Sequence, residues 1–240
     1  MTSQLTIGLI LPDVLSTYGD DGNALVLRQR ARMRGIQAEI LPLPLGTDIP
    51  EDLDIYTMGG GEDTAQILGA EHLIKSTGLQ RAAAKGRPIL AICAGLQVLG
   101  VSFHAAGRVV DGLGLLDATT SQLAKRTIGE LAGTPLIPGL SQPLTGFENH
   151  MGATILGPDA RPLQKVSRGI GNCDEHAHPE QVGVDGAVQG SVIATYMHGP
   201  ALARNPELAD YLLEKATGLQ LEPINLPEVD ALRAERLGKN

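Results

Sequence analysis

Cys93 is the residue best suited to act as a nucleophile. It lies in Ala91-Ile92-Cys93-Ala94-Gly95-Leu96-Gln97, where an apolar run gives way to a glycine-containing turn. Small residues on both sides permit a sharp strand-to-helix turn that lifts a side chain into solvent. A helix opening just beyond it directs free N–H groups at the sulfur and favours the thiolate. The backbone N–H of Ala94 would then sit where an oxyanion develops. A second donor could come from Gly59-Gly60-Gly61, at another strand end. The bland alternative is a small buried hydrophobe. The position of Cys93 at the exit of a strand, rather than inside one, favours the nucleophile.

A thiol nucleophile needs a base, and the candidates are His72, His104, His150, His176, His178 and His198. His198 directly follows an apolar run and precedes the turn pair Gly199-Pro200. Its distance from Cys93 along the chain is no obstacle, because catalytic partners meet in the fold. On pattern alone, a lone loop histidine is more often structural or exposed. The stretch Cys173-Asp174-Glu175-His176-Ala177-His178 offers zinc-ligand residue types. Its spacing fits no common structural site and a second ligand pair is missing, so it reads as an exposed acidic loop with no metal.

The elements that must position these residues alternate between strand and helix. Leu5 to Leu11, Ile36 to Leu41, Leu53 to Met58 and Ile89 to Ile92 read as strands, and Asp21 to Met33 as a helix with acidic residues at its start. That alternation predicts an α/β fold with a mostly parallel sheet flanked by helices. Ligands in such sheets bind beyond the carboxyl ends of the strands, where Gly59 to Gly61 and Cys93 both fall. From Gly112 to Thr154 short β-like runs and turns predict a β-rich section of hairpins at the sheet edge. Residues 157 to 190 are rich in Gly and Pro and poorly periodic, which predicts a long surface excursion. Ser191 to Tyr196 reads as a strand leading to His198. Asn205-Pro206-Glu207 opens a last helix, with Asn205 at the cap and Pro206 in the first helical position. Nothing marks a linker, so residues 1–240 read as one domain.

Composition narrows the function classes. The 240 residues carry 19 basic and 27 acidic side chains, a net charge of −8, without a clustered basic stripe. That argues against nucleic-acid binding. Pro88 to Val101 is the most apolar stretch, too short for a membrane span. Two cysteines 80 positions apart and no secretory signal point to thiols in a reducing cytoplasm.

Cys93-Ala94-Gly95-Leu96-Gln97 resembles the C-x-G-x-Q nucleophile signature of class I, triad-type glutamine amidotransferases. Ala91 stands where that motif usually carries a glycine. Thr195-Tyr196-Met197-His198-Gly199-Pro200 looks like the T-Y-x-H-G segment of the cobyric-acid-synthase-like branch. Tyr18-Gly19-Asp20-Asp21-Gly22-Asn23, Gly59-Gly60-Gly61-Glu62-Asp63, Gly146-Phe147-Glu148-Asn149-His150 and Asn205-Pro206-Glu207-Leu208-Ala209-Asp210 resemble the glutaminase subunits of lipid II isoglutaminyl synthases, and the likeness runs through nearly the whole chain.

The resemblance implies a flavodoxin-like fold and hydrolysis of L-glutamine through a Cys93 thioester. It assigns His198 as acid and base, backbone N–H groups near Gly60 and Ala94 to the oxyanion, and Arg126 to the substrate α-carboxylate. Without the resemblance Arg126 reads as a solvated surface charge. Most class I enzymes carry a glutamate two residues after the histidine. Here that position is Pro200, and the resemblance implies that a partner, the Mur-ligase-like MurT, supplies the carboxylate. Weak glutaminase activity is therefore expected of the chain alone. The chain has no G-x-x-x-x-G-K-[ST] loop, so ATP and Mg are expected on that partner, which would amidate the D-glutamate of lipid II at the cytoplasmic face of the membrane. The rival readings are the glutaminase part of a cobyric or cobyrinic acid amide synthase, a stand-alone cysteine hydrolase and a non-catalytic scaffold. The Tyr18 to Asn23 segment has no role beyond that of a helix-capping loop.

Overall fold

A strand covered on both faces must be apolar along its whole length, and the central strands of the first sheet meet that demand. The computed structural model describes residues 4–238, so residues 1–3 and 239–240 of the expected 1–240 span lie outside the described residues. The first half runs β1 (Leu5–Ile10), α1 (Gly22–Arg32), β2 (Ala38–Leu43), β3 (Ile55–Met58), α2 (Asp63–Lys75), α3 (Gly78–Ala84), β4 (Ile89–Ile92) and α4 (Ala94–Leu99). Strands then predominate: β5 (Ser102–Ala105), β6 (Arg108–Asp111), β7 (Ala118–Pro135), β8 (Leu144–Leu156), β9 (Gln164–Arg168), β10 (Val184–Asp185), β11 (Ala187–Gln189) and β12 (Val192–Thr195). The chain closes with α5 (Ala201–Arg204), α6 (Pro206–Thr217) and α7 (Pro227–Arg236).

The first sheet has the order β11-β12-β4-β3-β1-β2 and is parallel except for the β11–β12 pair. The core order is the flavodoxin-like one, with β12 in the fifth position. β3, β4 and β12 are buried at every residue. Their carboxyl ends deliver the Gly59–Gly61 loop, Cys93 and His198 to one edge, beside the loop that leaves β1.

The middle of the chain departs from expectation. Instead of hairpins on the edge of the first sheet, it builds a second sheet, β10-β9-β7-β5-β6, with β8 paired to β7. β7 and β8 form one long antiparallel ribbon from Ala118–Leu156 to Gly133–Leu144, with an irregular register between Gln122 and Thr127. Nor is 157–190 a surface excursion. Leu163, Gln164, Asn172, Cys173 and Asp185 are buried within it. The Asp185 carboxylate accepts from the Thr195 hydroxyl and the Tyr196 N–H, bracing the strand that leads to His198. Polar residues misled the reading here because they face a hydrogen-bonded interior rather than solvent.

One apolar core spans both sheets, including Ile89 and Leu90 of β4, Leu131 of β7 and Leu144 of β8. Asn205 takes the N-cap position of α6 but makes no side-chain cap bond. Its carbonyl oxygen accepts from Thr145 N–H at 2.9 Å and its amide donates to the Thr145 carbonyl at 2.8 Å. A short polar side chain thus ties the last helices to β8 instead of capping a helix.

Candidate active site

The turn at Cys93 is strained, as the small flanking residues predicted. Cys93 has φ 51 and ψ −104, a conformation that costs about 1–3 kcal/mol in a non-glycine residue. It persists because both ends are clamped: Cys93 N–H donates to the Thr195 carbonyl at 2.9 Å, and Gln97 N–H donates to the Cys93 carbonyl at 3.2 Å. The sulfur is nearly enclosed, the residue being 8% exposed. Below it a buried relay joins the nucleophile helix to the histidine strand. Gln66 donates to Gln97 at 2.6 Å, and Gln97 donates to the Tyr196 hydroxyl at 3.0 Å.

His198 follows β12 and is fixed by a two-way backbone bridge to Phe147 of β8. Its Nδ1 lies 2.9 Å from Oδ2 of Asp20, in the loop between β1 and α1. Both side chains are essentially inaccessible, at 1% and 0% exposure. Burial alone would favour the neutral ring. The Asp20 carboxylate, and after it the Cys93 sulfur, outweigh that and push the His198 pKa up to about 10. The ring is therefore a proton donor at neutral pH. Its Nε2 has no hydrogen-bond partner among the described residues, and the nearby sulfur still favours the charged form. Asp20 thus sets a carboxylate of this chain against the ring, at the position for which the resemblance implies a partner's. The sequence places it in a capping loop, yet its carboxylate meets the histidine, and α1 shows no side-chain cap bond.

Gly60 is where the three groups converge. A Cβ built there would lie 2.8 Å from His198 Cε1, 3.3 Å from Asp20 Oδ2 and 3.3 Å from Cys93 Cβ. Any larger residue would push the constellation apart. Its N–H donates to Asp20 Oδ2 at 2.9 Å, which corrects the expectation that it faces the oxyanion. The neighbouring Gly61 lines the pocket with Ala94, and neither N–H has a hydrogen-bond partner among the described residues. Two N–H groups without a partner thus belong to residues lining the pocket that Cys93 also lines.

Arg126 lies in the irregular stretch of β7 and lines the same pocket as Cys93 and His198. An irregularity of that kind re-aims a side chain. Arg126 Nη1 donates to Asn149 Oδ1 at 3.0 Å, and the Asn149 amide reaches the Tyr18 hydroxyl. Tyr18 stands edge-on to the His198 ring, with centroids 5.0 Å apart. The pocket is narrow, about 70 Å³. Cys93, two residues with free N–H groups and Arg126 line it, the equipment for acyl transfer from a small molecule bearing a carboxylate.

All the predicted residues, Cys93, His198, Arg126, Gly60 and Ala94, therefore meet at one site. Sequence reasoning missed Asp20, Asn149 and Tyr18, although they lie within segments it singled out. Cys173 is buried rather than on an exposed loop, and burial pushes its thiol pKa up. Among the described residues no three His, Cys, Asp or Glu side chains cluster to hold a metal.

Residues 6–206 match the CobB/CobQ-like glutamine amidotransferase domain. The chain belongs to that family. This amidotransferase is 35% identical to the lipid II isoglutaminyl synthase subunit GatD of Staphylococcus aureus strain N315, over 98% of this chain and 94% of the relative. It is 32% identical to the same subunit of Streptococcus pneumoniae strain R6, over 98% of this chain and 90% of that one. A glutamine amidotransferase crystal structure shares its fold, with TM-score 0.54 at 18% identity over 89% of this chain and 99% of that one. No helix among the described residues is long and apolar enough to cross a membrane.

Proposed function

We propose that the chain is the glutaminase subunit of a lipid II isoglutaminyl synthase. The observation that carries the reading is the convergence of Cys93, the His198–Asp20 pair and Arg126 on one pocket. The similarity to two GatD subunits across nine-tenths or more of their length favours this over a cobyric acid synthase role.

Arg126 grips the α-carboxylate of glutamine, and Cys93 attacks the side-chain carboxamide carbon. The Ala94 and Gly61 N–H groups receive the developing oxyanion. His198, already charged, gives its proton to the departing ammonia and then takes one from the water that hydrolyses the thioester. Asp20 holds the ring in orientation and stabilises its charge. Ammonia then serves a MurT-like Mur-ligase partner, which carries ATP and Mg and amidates lipid II at the cytoplasmic face of the membrane.

The test is glutamate release from glutamine by wild type and Cys93→Ala, alone and with the candidate MurT. Asp20 removes the physical reason for expecting weak activity from the isolated chain, so release without the partner is expected, and none from Cys93→Ala. Equal release by the two would sink the reading.

A further inference from the structure

One strained residue of the pocket has no part in that mechanism. Tyr18 has φ 59, in the left-handed region that a bulky side chain rarely adopts. Strain of this kind persists only where the surroundings fix it. Here Thr17 N–H donates to the Gly60 carbonyl at 3.0 Å, and Asp20 N–H donates back to the Thr17 carbonyl at 3.4 Å. Tyr18 is held between those two anchors. Its ring stands edge-on to Phe147, with centroids 6.2 Å apart, as it does to His198. The residue is nevertheless 48% exposed, so burial alone does not account for a strained tyrosine here.

The hydrogen bonds around Tyr18 decide where its proton can go. Arg126 Nη1 meets the Asn149 side chain at 3.0 Å, and a guanidinium only donates. The amide oxygen of Asn149 must therefore face Arg126, which leaves its NH2 group facing the Tyr18 hydroxyl. That group also only donates, so the Tyr18 oxygen accepts and its own proton is spared. No acceptor for the proton stands within reach among the described residues. Arg126 likewise keeps N–H groups beyond the one given to Asn149. Tyr18, Arg126 and Asn149 all line the pocket of Cys93 and His198. A single carboxamide thus holds a free O–H and a guanidinium on its two sides in one pocket wall.

A cation and a neutral donor set at one spacing suit an anion that has two acceptor oxygens. We propose that the Tyr18 hydroxyl is a second donor to the substrate carboxylate gripped by Arg126, and that Asn149 is the positioning residue that sets the two donors together. The inference rests on the glutaminase reading above, in which that carboxylate belongs to glutamine. It gives the strained loop a task in binding, separate from the contact of the Tyr18 ring with His198.

The experiment measures kcat and KM for glutamine hydrolysis against pH, for the full chain as wild type, Tyr18→Phe and Asn149→Ala. Tyr18→Phe keeps the ring against His198 and Phe147 and removes only the hydroxyl. KM should rise about tenfold, the worth of one hydrogen bond to a charged group, with kcat held and its pH profile unmoved. Asn149→Ala releases both donors, so it should raise KM at least as far, and it carries the test if Tyr18→Phe fails to fold. Competitive inhibition by 4-aminobutanamide, which is glutamine without its α-carboxylate, should not weaken in Tyr18→Phe. Weakening by the same factor as KM would overturn the contact with the carboxylate. An unchanged KM in the variants would overturn the proposal, as would a fall in kcat with a shifted pH profile, because the hydroxyl would then act through His198. Either result beside an active wild type leaves the glutaminase reading standing. A wild-type chain that releases no glutamate would overturn that reading and this inference with it.

Discussion

His198 and Asp20 meet at 2.9 Å, whereas His150 and Glu148, in the wall of the same pocket, stop at 3.8 Å. Both pairs are buried, and both depend on a glycine that admits the carboxylate, Gly60 in one case and Gly169 in the other. They differ in what else the carboxylate touches. Glu148 is supplied by two backbone N–H groups and a hydroxyl besides the imidazole, so its charge is shared among several donors. Asp20 Oδ2 has the Gly60 N–H and the His198 ring, and Oδ1 has no partner among the described residues. Its charge therefore acts mainly on His198, holding a proton where a leaving amine needs one. A carboxylate tunes a histidine strongly when it has little else to bind.

The largest effect should come from Asp20→Asn. Loss of the orienting carboxylate is expected to lower kcat/KM for glutamine hydrolysis by about 10³- to 10⁴-fold, carried mainly by kcat. A loss below about tenfold would remove Asp20 from the triad and return the carboxylate to a partner. Gly60→Ala should follow. Its methyl would sit 2.8 Å from His198 Cε1, and a displacement approaching 1 Å costs about 10²-fold. If Gly60→Ala retains full activity, the close packing of the three groups is not what aligns them.

Cys93 and His198 were legible in the sequence because their signals are local. Each leaves an apolar strand for a glycine turn, and the parallel sheet then brings the strand ends together. Asp20 was not legible, since two acidic residues before a helix are the ordinary look of an N-terminus. Only the fold, across 178 positions, shows Asp20 turned toward the histidine. Asn205 stands at the expected cap position, yet the same short side chain that can cap a helix pairs with β8 beside it instead. The second sheet was hidden because β7 and β8 mix buried and exposed residues without clean alternation.

Arg126→Lys sharpens the division of labour from the substrate side. Arg126 is outside both pairs and is assigned to binding alone, so its loss should leave the proton chemistry intact. A lysine keeps the charge and loses the two-pronged grip, so KM should rise about tenfold with kcat held. A fall in kcat with KM unchanged would instead place Arg126 in the transition state.

The smallest effect is on stability, and it isolates the His198–Asp20 pair without any substrate. The His198 pKa is raised in the fold from 6.5 to about 10. The folded state therefore holds a proton that the unfolded state has released throughout that window. The associated stabilisation is complete below about pH 6.5 and is lost as the pH rises through about 10. Asp20→Asn removes the strongest cause of the raised value, so the variant should be less stable at pH 6.5. The difference in Tm between wild type and variant should then shrink by a few degrees toward pH 10. Lysines and tyrosines titrate in both proteins and cancel in the difference. Glu148→Gln provides the contrast, because a depressed carboxylate stabilises above its unfolded pKa and the loss appears only in acid. A wild-type minus Asp20→Asn difference that stays level from pH 6.5 to 10 would mean that Asp20 does not hold the His198 proton. The two histidine–carboxylate pairs would then differ in distance but not in kind.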